Sequence, residues 1–263
     1  MKLRVKFTKH GIVRYIGHLD MQRYFQRVNR RAGIKVVYSE GFSPHQKMSF
    51  AMPLSVGYES DSEYFDMEVS EASSSENIIT LMNAQQTEGI EIVSCVLLPD
   101  KCENAMASVR AARYTVGFRE GYEPGFDVKR AVAEIMDGDS FIIKKAEKKK
   151  KKRAGRIERA SYNTKTMGAE DPGEDAPEDK GYTEVDIRPH IYEMYADEDN
   201  TVHLMASAGS KDNIRPDAVM GAIYEREGHK LPPHALAVVR NELYTYGDNG
   251  KDLIPLSAVG REF

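Results

Sequence analysis

Residues 21–38 read MQRYFQRVNRRAGIKVVY, and two periodicities meet in them. Met21, Tyr24, Phe25, Val28 and Ala32 fall at i, i+3, i+4, i+7 and i+11, which is one face of a helix with 3.6 residues per turn. Gly33 follows at the position where a helix commonly ends in a left-handed turn. IKVVY (34–38) is β-branched and reads as a strand. Upstream, LRVKF (3–7) alternates apolar and basic residues as a half-buried strand does.

The same alternation of elements continues outward. KMSFAMPLSVGY (47–58) and EYFDMEV (63–69) predict a hairpin turning at Glu59–Ser62. In SSSENIITLMNAQQ, Ser73 and Glu76 have capping-box spacing and Ile78, Ile79 and Met82 form an apolar stripe. GIEIVSCVLLP (89–99) reads as a buried strand. Residues 1–103 therefore scan as β-α-β-β-α-β, the ferredoxin-like order. Residues 104–263 repeat that order. SVRAARYTVGF (108–118) is a strand, and Asp127 caps a helix carrying Val128, Ala131, Val132, Ile135 and Met136, ended by Gly138. SFIIKK (140–145) is a strand, and YTEVDIRPHIYEMYA and TVHLMASA read as paired strands. A helix follows with Pro216 at its first position and Gly228 beyond its end, then ALAVVRNELYTY (235–246) as the last strand. The expected fold is α+β, with two ferredoxin-like units at 1–103 and 104–263. The repeat is one of element order; no residue-level repeat accompanies it.

The second unit carries an insert of unusual composition. Residues 146–181 hold a lysine block followed by an acidic block with Pro and Gly, and almost no apolar residues. Too little apolar surface is available there to offset the entropy of ordering, so a mobile, disordered charged loop is expected. The chain as a whole is 41% hydrophobic and 30% charged, a globular balance. No apolar run reaches the ~20 residues of a membrane span, so no membrane partner is expected. MKLRVKFTK alternates charge and reads as a strand, not a signal peptide. Cys95 and Cys102 cannot build a disulfide framework or a zinc site by themselves, and the expected location is cytoplasmic. Cys95 lies in an apolar strand pattern and is expected to be structural.

The net charge of −4 is unevenly spread. Residues 1–50 hold eleven Lys and Arg against Asp20 and Glu40, a net of +9. Residues 144–165 hold eleven against Glu147 and Glu158, again +9, which leaves −22 elsewhere. Within the first basic region, Arg23, Arg27 and Arg30 are spaced i, i+4 and i+7, with Arg31 beside them. They share the helix face opposite the apolar stripe, and no acid stands four residues from any of the three. Guanidinium forks in such a row suit phosphate oxygens. The alternative is ion pairing to acids of the second half. Asp20 in the first helical turn suits the positive helix end, a structural role.

The turn-rich YSEGFSPHQK (38–47) supplies His45 and Lys47. If that loop folds back toward Gly17–Asp20, then Arg14, His18, His45 and Lys47 form one phosphate-binding cluster. His18 and His45 could then also act as acid and base in metal-independent RNA cleavage. His18, Asp20 and His45 have no recognised metal-ligand spacing, so no metal is expected. Walker, G-x-G-x-x-G and H-E-x-x-H motifs are absent, as are an iron–sulfur cysteine cluster and the aromatic signature of an RNA-recognition motif. No cofactor is expected.

One further pattern runs through the N-terminal part. Lys9, Gly11, Arg14 and Tyr15 precede His18, Leu19 and Asp20; the arginine-rich helix carries Arg23, Arg27, Arg30 and Arg31. Tyr38, Ser39, Gly41, Phe42, Pro44 and Lys47 follow, then Pro53, Leu54, Gly57 and Ser60. This arrangement resembles the radical-SAM-linked family of unknown function, over about the first 70 residues most closely. IRPHIYEM and RPDAV match more loosely. Gly17 departs from the pattern, where the family commonly has Ser, and the insert is atypical. The resemblance implies a companion, or a fused C-terminal domain, of a radical SAM protein. The family's neighbourhood often includes RNA-processing and ribosomal-protein genes, so the resemblance also implies an RNA substrate. The double ferredoxin-like plan is also similar to CRISPR RNA-processing endoribonucleases, by architecture alone.

The resulting expectation is a non-catalytic RNA-binding adaptor working with a radical SAM enzyme, in RNA or ribosome-related modification. Its phosphate-contacting residues would be Arg14, His18, Arg23, Arg27, Arg30, Arg31, His45 and Lys47. The alternatives are an endoribonuclease using His18 and His45, and a protein-docking module for the radical SAM partner.

Overall fold

The computed structural model describes residues 1–146, 182–210 and 212–263. The first half runs β1 (Lys2–Lys9), α1 (His18–Arg31), β2 (Met48–Phe50), β3 (Glu59–Glu68), α2 (Ser75–Asn83) and β4 (Ile92–Leu97). A short α3 (Ala105–Ser108) leads into β5 (Ala111–Phe118), α4 (Val128–Asp137), β6 (Ile142–Ala146) and β7 (Tyr182–Asp186). The chain ends with β8 (Ile191–Ala196), β9 (Val202–Ser207), α5 (Pro216–Arg226), β10 (Leu236–Tyr246), β11 (Leu253–Pro255) and a 3-10 turn at Leu256–Val259.

Among the described residues one mixed, mostly antiparallel sheet of nine strands carries the α+β fold. Its order is β4-β1-β3-β10-β5-β9-β8, with β2 on β3 and β11 on β10. Within the first half the four strands lie as β4-β1-β3-β2; within the second, β10-β5-β9-β8 is the corresponding order. The halves join where β10 runs parallel to β3, through Val239 with Glu59 and Arg240 with Ser60. β2 covers only the far end of that β3 edge, at Phe65–Met67, and so leaves the near end open to β10.

The apolar core falls into two clusters, with Ala51 and Tyr64 of the first half joining the second. In the first, Leu3, Val5, Phe7, Phe65 and Met67 of the strands meet Met21, Phe25 and Val28 of α1, and Ile78 and Met82 of α2. Phe7, Phe25, Phe50 and Phe65 form a ring cluster with centroids 4.6–6.2 Å apart, mostly edge-on or tilted as aromatic quadrupoles prefer. In the second, Val132 and Ile135 of α4 and Val219 and Ile223 of α5 pack with Tyr114, Val116 and Leu204.

The helix boundaries follow local chemistry. Gly33 is left-handed (φ +69°) beyond α1, and Gly228 (φ +75°) beyond α5. The Asp127 side chain accepts the Arg130 N–H and caps α4. At α2 the cap is Ser74, which accepts the Asn77 N–H; Ser73 instead accepts from the Asn77 side chain, so the cap stands one residue later than expected.

Three strand assignments differ from the pattern. Residues 34–38 make only isolated bridges, Val36 to Val69 and Tyr38 to Gln46, because they flank β3 at its very end, where little edge remains to pair. The expected turn at Glu59–Ser62 lies inside β3, and the chain turns instead through residues 51–58, with Gly57 left-handed (φ +90°). β6 pairs with β7 in a hairpin apart from the main sheet, and a 3-10 turn at Arg188–His190 separates β7 from β8. Of the insert 146–181, Ala146 closes β6 and the remainder lies outside the described residues.

Candidate functional site

α1 presents two unlike faces. Met21, Phe25, Val28 and Asn29 are buried, while Arg23, Arg27, Arg30 and Arg31 are exposed. Helical periodicity produces the division directly, since residues seven apart lie within ~20° of one another. The Arg23 guanidinium is 3.3 Å from Asp20, an exposed pair of small energetic weight. Arg31 donates to the side chain and backbone oxygens of Gln85, at 3.3 and 3.0 Å. The side chains of Arg27 and Arg30 make no hydrogen bond or ion pair among the described residues. Among the described residues, the second half supplies no acid to any of the four.

The other expected phosphate contacts sit in different surroundings. Arg14, in a 3-10 turn at Gly11–Tyr15, donates to Glu59 at 3.0 Å and lies 5.1 Å over the Tyr15 ring. Glu59 also accepts the Gly11 N–H at 2.9 Å. Burial acts to raise the Glu59 pKa, but that N–H, His10 and Arg14 together hold it below its ordinary value. Lys47 pairs with Glu68 at 3.1 Å. His18, the first residue of α1, is half-buried with its ring edge-on to Phe50 at 5.5 Å. Burial lowers its pKa below the ordinary histidine value; Glu63 opposes this and Lys9 acts in the same direction as burial.

His45 is placed elsewhere. Its Nδ1 lies 2.9 Å from the Ser39 hydroxyl, which also accepts the His45 N–H at 3.1 Å. The loop carrying it is fastened to the later part of α1. Asn29 donates to the Gln46 side chain at 3.1 Å, and Gln46 donates to the Gln26 carbonyl at 3.1 Å. Gln26 and Asn29 lie eight and eleven residues past His18, or about 12–16 Å along the axis. The folding back toward Gly17–Asp20 does not occur, and Arg14, His18, His45 and Lys47 form no single cluster. The paired histidines needed for acid–base cleavage are not brought together, and no interaction links them among the described residues.

Charged groups that alternation assigns to solvent are buried instead. Arg4 makes a two-pronged pair with Asp66, at 2.8 and 3.1 Å, and donates to the Leu256 carbonyl at 3.1 Å. Asp66 also accepts the Ala105 N–H at 2.7 Å. Arg240 donates to Glu63 at 2.9 Å and to the Met52 carbonyl at 2.8 Å. Lys9 is buried beside them and donates to the Ile16 carbonyl at 2.8 Å. Burial pulls its pKa down, with Glu63 acting the other way. These pairs join β1 and β3 to β10, α3 and the closing 3-10 turn.

Apolar and aromatic side chains also lie open near α1: Ile12, Tyr15, Leu19, Tyr38, Phe42 and Val56 are all exposed. The spacing arguments did not select them, because loop residues follow no period. Their exposure becomes visible only once the loops are placed.

Among the described residues, no three His, Cys, Asp or Glu side chains are grouped to hold a metal ion. None of the described helices is long and apolar enough to cross a membrane. No curated protein matches the chain in sequence. Residues 2–170 match the family described as "Uncharacterized protein conserved in bacteria (DUF2344)", and the chain belongs to that family.

Proposed function

We propose that the protein is a non-catalytic RNA-binding adaptor that works with a radical SAM enzyme. The observation carrying the RNA part is the arginine face of α1. Arg27 and Arg30 stand exposed and unpaired among the described residues, with Arg23 on the same side. A solvated helix face normally mixes charge signs, and here only Asp20 does so. Guanidinium groups free of internal partners keep their donors for phosphate oxygens. The radical SAM part rests on the resemblance of residues 9–60 to the family linked to such enzymes.

The test is binding of the purified chain to RNA across a salt series. Binding should weaken linearly in log salt. Reversing Arg23, Arg27 and Arg30 to Glu should reduce the magnitude of that slope by about 2, the value for three phosphate contacts on a single strand. Wild-type affinity and slope in the triple variant would overturn the proposal. A second reading, docking onto an acidic patch of the radical SAM protein, is favoured by the exposed Ile12, Leu19 and Val56 beside the arginines. It predicts a complex that forms without RNA and is lost on the same reversal.

A further inference from the structure

We infer that the RNA taken by this surface is single-stranded, with its phosphates on the α1 arginines and unpaired bases stacked on the exposed rings of Tyr15 and Phe42. The inference rests on the RNA reading above and narrows its substrate class.

Phe42 is fully exposed at the tip of the 38–47 loop. The loop is nonetheless tied down, by Ser39 with His45 across its base and by Gln46 with Gln26 and Asn29 of α1. At 100° per residue, Asn29 and then Gln26 fill the flank between the buried stripe of α1 and Arg30. The loop bearing the Phe42 ring thus borders the arginine row. Tyr15 stands at the other end, just ahead of the α1 cap residue Gly17, with its ring half-exposed beneath the Arg14 guanidinium. Leu19 is exposed on the first turn of α1. The loop carrying the exposed Val56 is held to Arg14 through the Gly57 N–H, at 3.0 Å.

Exposed rings therefore flank a row of cations along about 16 Å of helix, measured from Leu19 to Arg30. Duplex RNA cannot use such rings. Its bases are already stacked and paired, and its major groove is too deep and narrow for side chains to read. An unpaired strand offers both components at once, backbone charge and free base faces. Stacking of bases on aromatic side chains also tolerates any sequence.

The experiment uses the full chain and two labelled probes read by fluorescence anisotropy: an unstructured pyrimidine RNA of about 12 nucleotides, and a blunt RNA duplex of similar length. Phe42→Ala, Phe42→Trp and Tyr15→Ala are compared with wild type, with thermal melts confirming that each variant folds. Wild type should prefer the single strand. Phe42→Ala and Tyr15→Ala should each weaken single-strand binding by about tenfold while leaving duplex binding unchanged, and Phe42→Trp should retain it. If the alanine variants leave both probes unmoved while reversal of the three arginines still abolishes binding, the stacking inference falls and the RNA reading stands. An equal loss on both probes also overturns the stacking inference. If arginine reversal leaves both probes bound, the RNA reading falls and this inference with it.

Discussion

Replacing Arg240 by Met tests how the two halves are held together. The Arg240 side chain is 1% exposed and the Glu63 side chain 9%. Its guanidinium donates to Glu63 and to the Met52 carbonyl. Methionine fills much of the same volume but carries no donor, so the substitution leaves a buried carboxylate and a buried carbonyl without these partners. Breaking a buried ion pair from one side costs about 3–5 kcal/mol. Lys9 remains nearby as a cation, although its own ammonium is bonded to backbone carbonyls. That places the expected loss near the lower end, about 3 kcal/mol. For a chain of this length the melting temperature should fall by about 6–12 °C. Urea denaturation by linear extrapolation, with circular dichroism melts alongside, measures both quantities. The double variant Arg240→Met with Glu63→Met should lose less than the sum of the two singles, because no charge is then stranded. An Arg240→Met loss under about 1 kcal/mol, or strict additivity in the double variant, would refute the view of this pair as a coupled junction.

Three further outcomes are expected. Phe25→Ala removes a fully buried ring from the four-phenylalanine cluster and should cost about 3–5 kcal/mol in the same urea assay. The His18 pKa is depressed in the folded state, so the unfolded chain binds the proton more readily. The stability contributed by neutral His18 is fully present above its unfolded pKa and is lost as pH falls through the folded pKa; proton NMR of the His18 ring should titrate with a midpoint below the ordinary histidine value. Asp127→Ala removes the side-chain cap of α4 and should lower stability by about 1 kcal/mol, read from the shift in urea midpoint at constant slope.

Helices were the legible part of the chain. The α1 stripe, the Asp127 cap, Pro216 and the glycines after α1 and α5 are all local signals, and local chemistry decides them. The first residues of β3 differ from the pattern for the opposite reason. ESDSE (59–63) has the composition of a turn, yet Ser60 and Ser62 are buried, and their hydroxyls donate to the Arg240 carbonyl and to Glu242, 180 residues away. A window on the sequence cannot see a partner at that distance, so polar residues satisfied inside a sheet look like loop. The basic residues of β1 carry the same ambiguity: Lys6 and Arg4 alternate alike, but Arg4 is buried against Asp66. In the candidate site, exposure of the helix arginines followed from periodicity. The separation of His18 from His45 did not, because it depends on where Gln46 fastens its loop.

The strand that completes the edge of β3 leaves the ribosome long after β3 itself, since Ser60 meets Arg240, 180 residues on. Until β10 emerges, the free edge of β3 at Glu59 and Ser60 lacks its strand partner and Glu63 lacks Arg240. An open edge of apolar residues in that interval would recruit neighbouring chains. This one waits with glutamate, aspartate and serine, which water solvates well and other strands extend poorly. The polar run that disguises β3 as a turn thus gives the unfinished protein a period of safe solubility, and the arrival of Arg240 then converts the same residues into an internal seam.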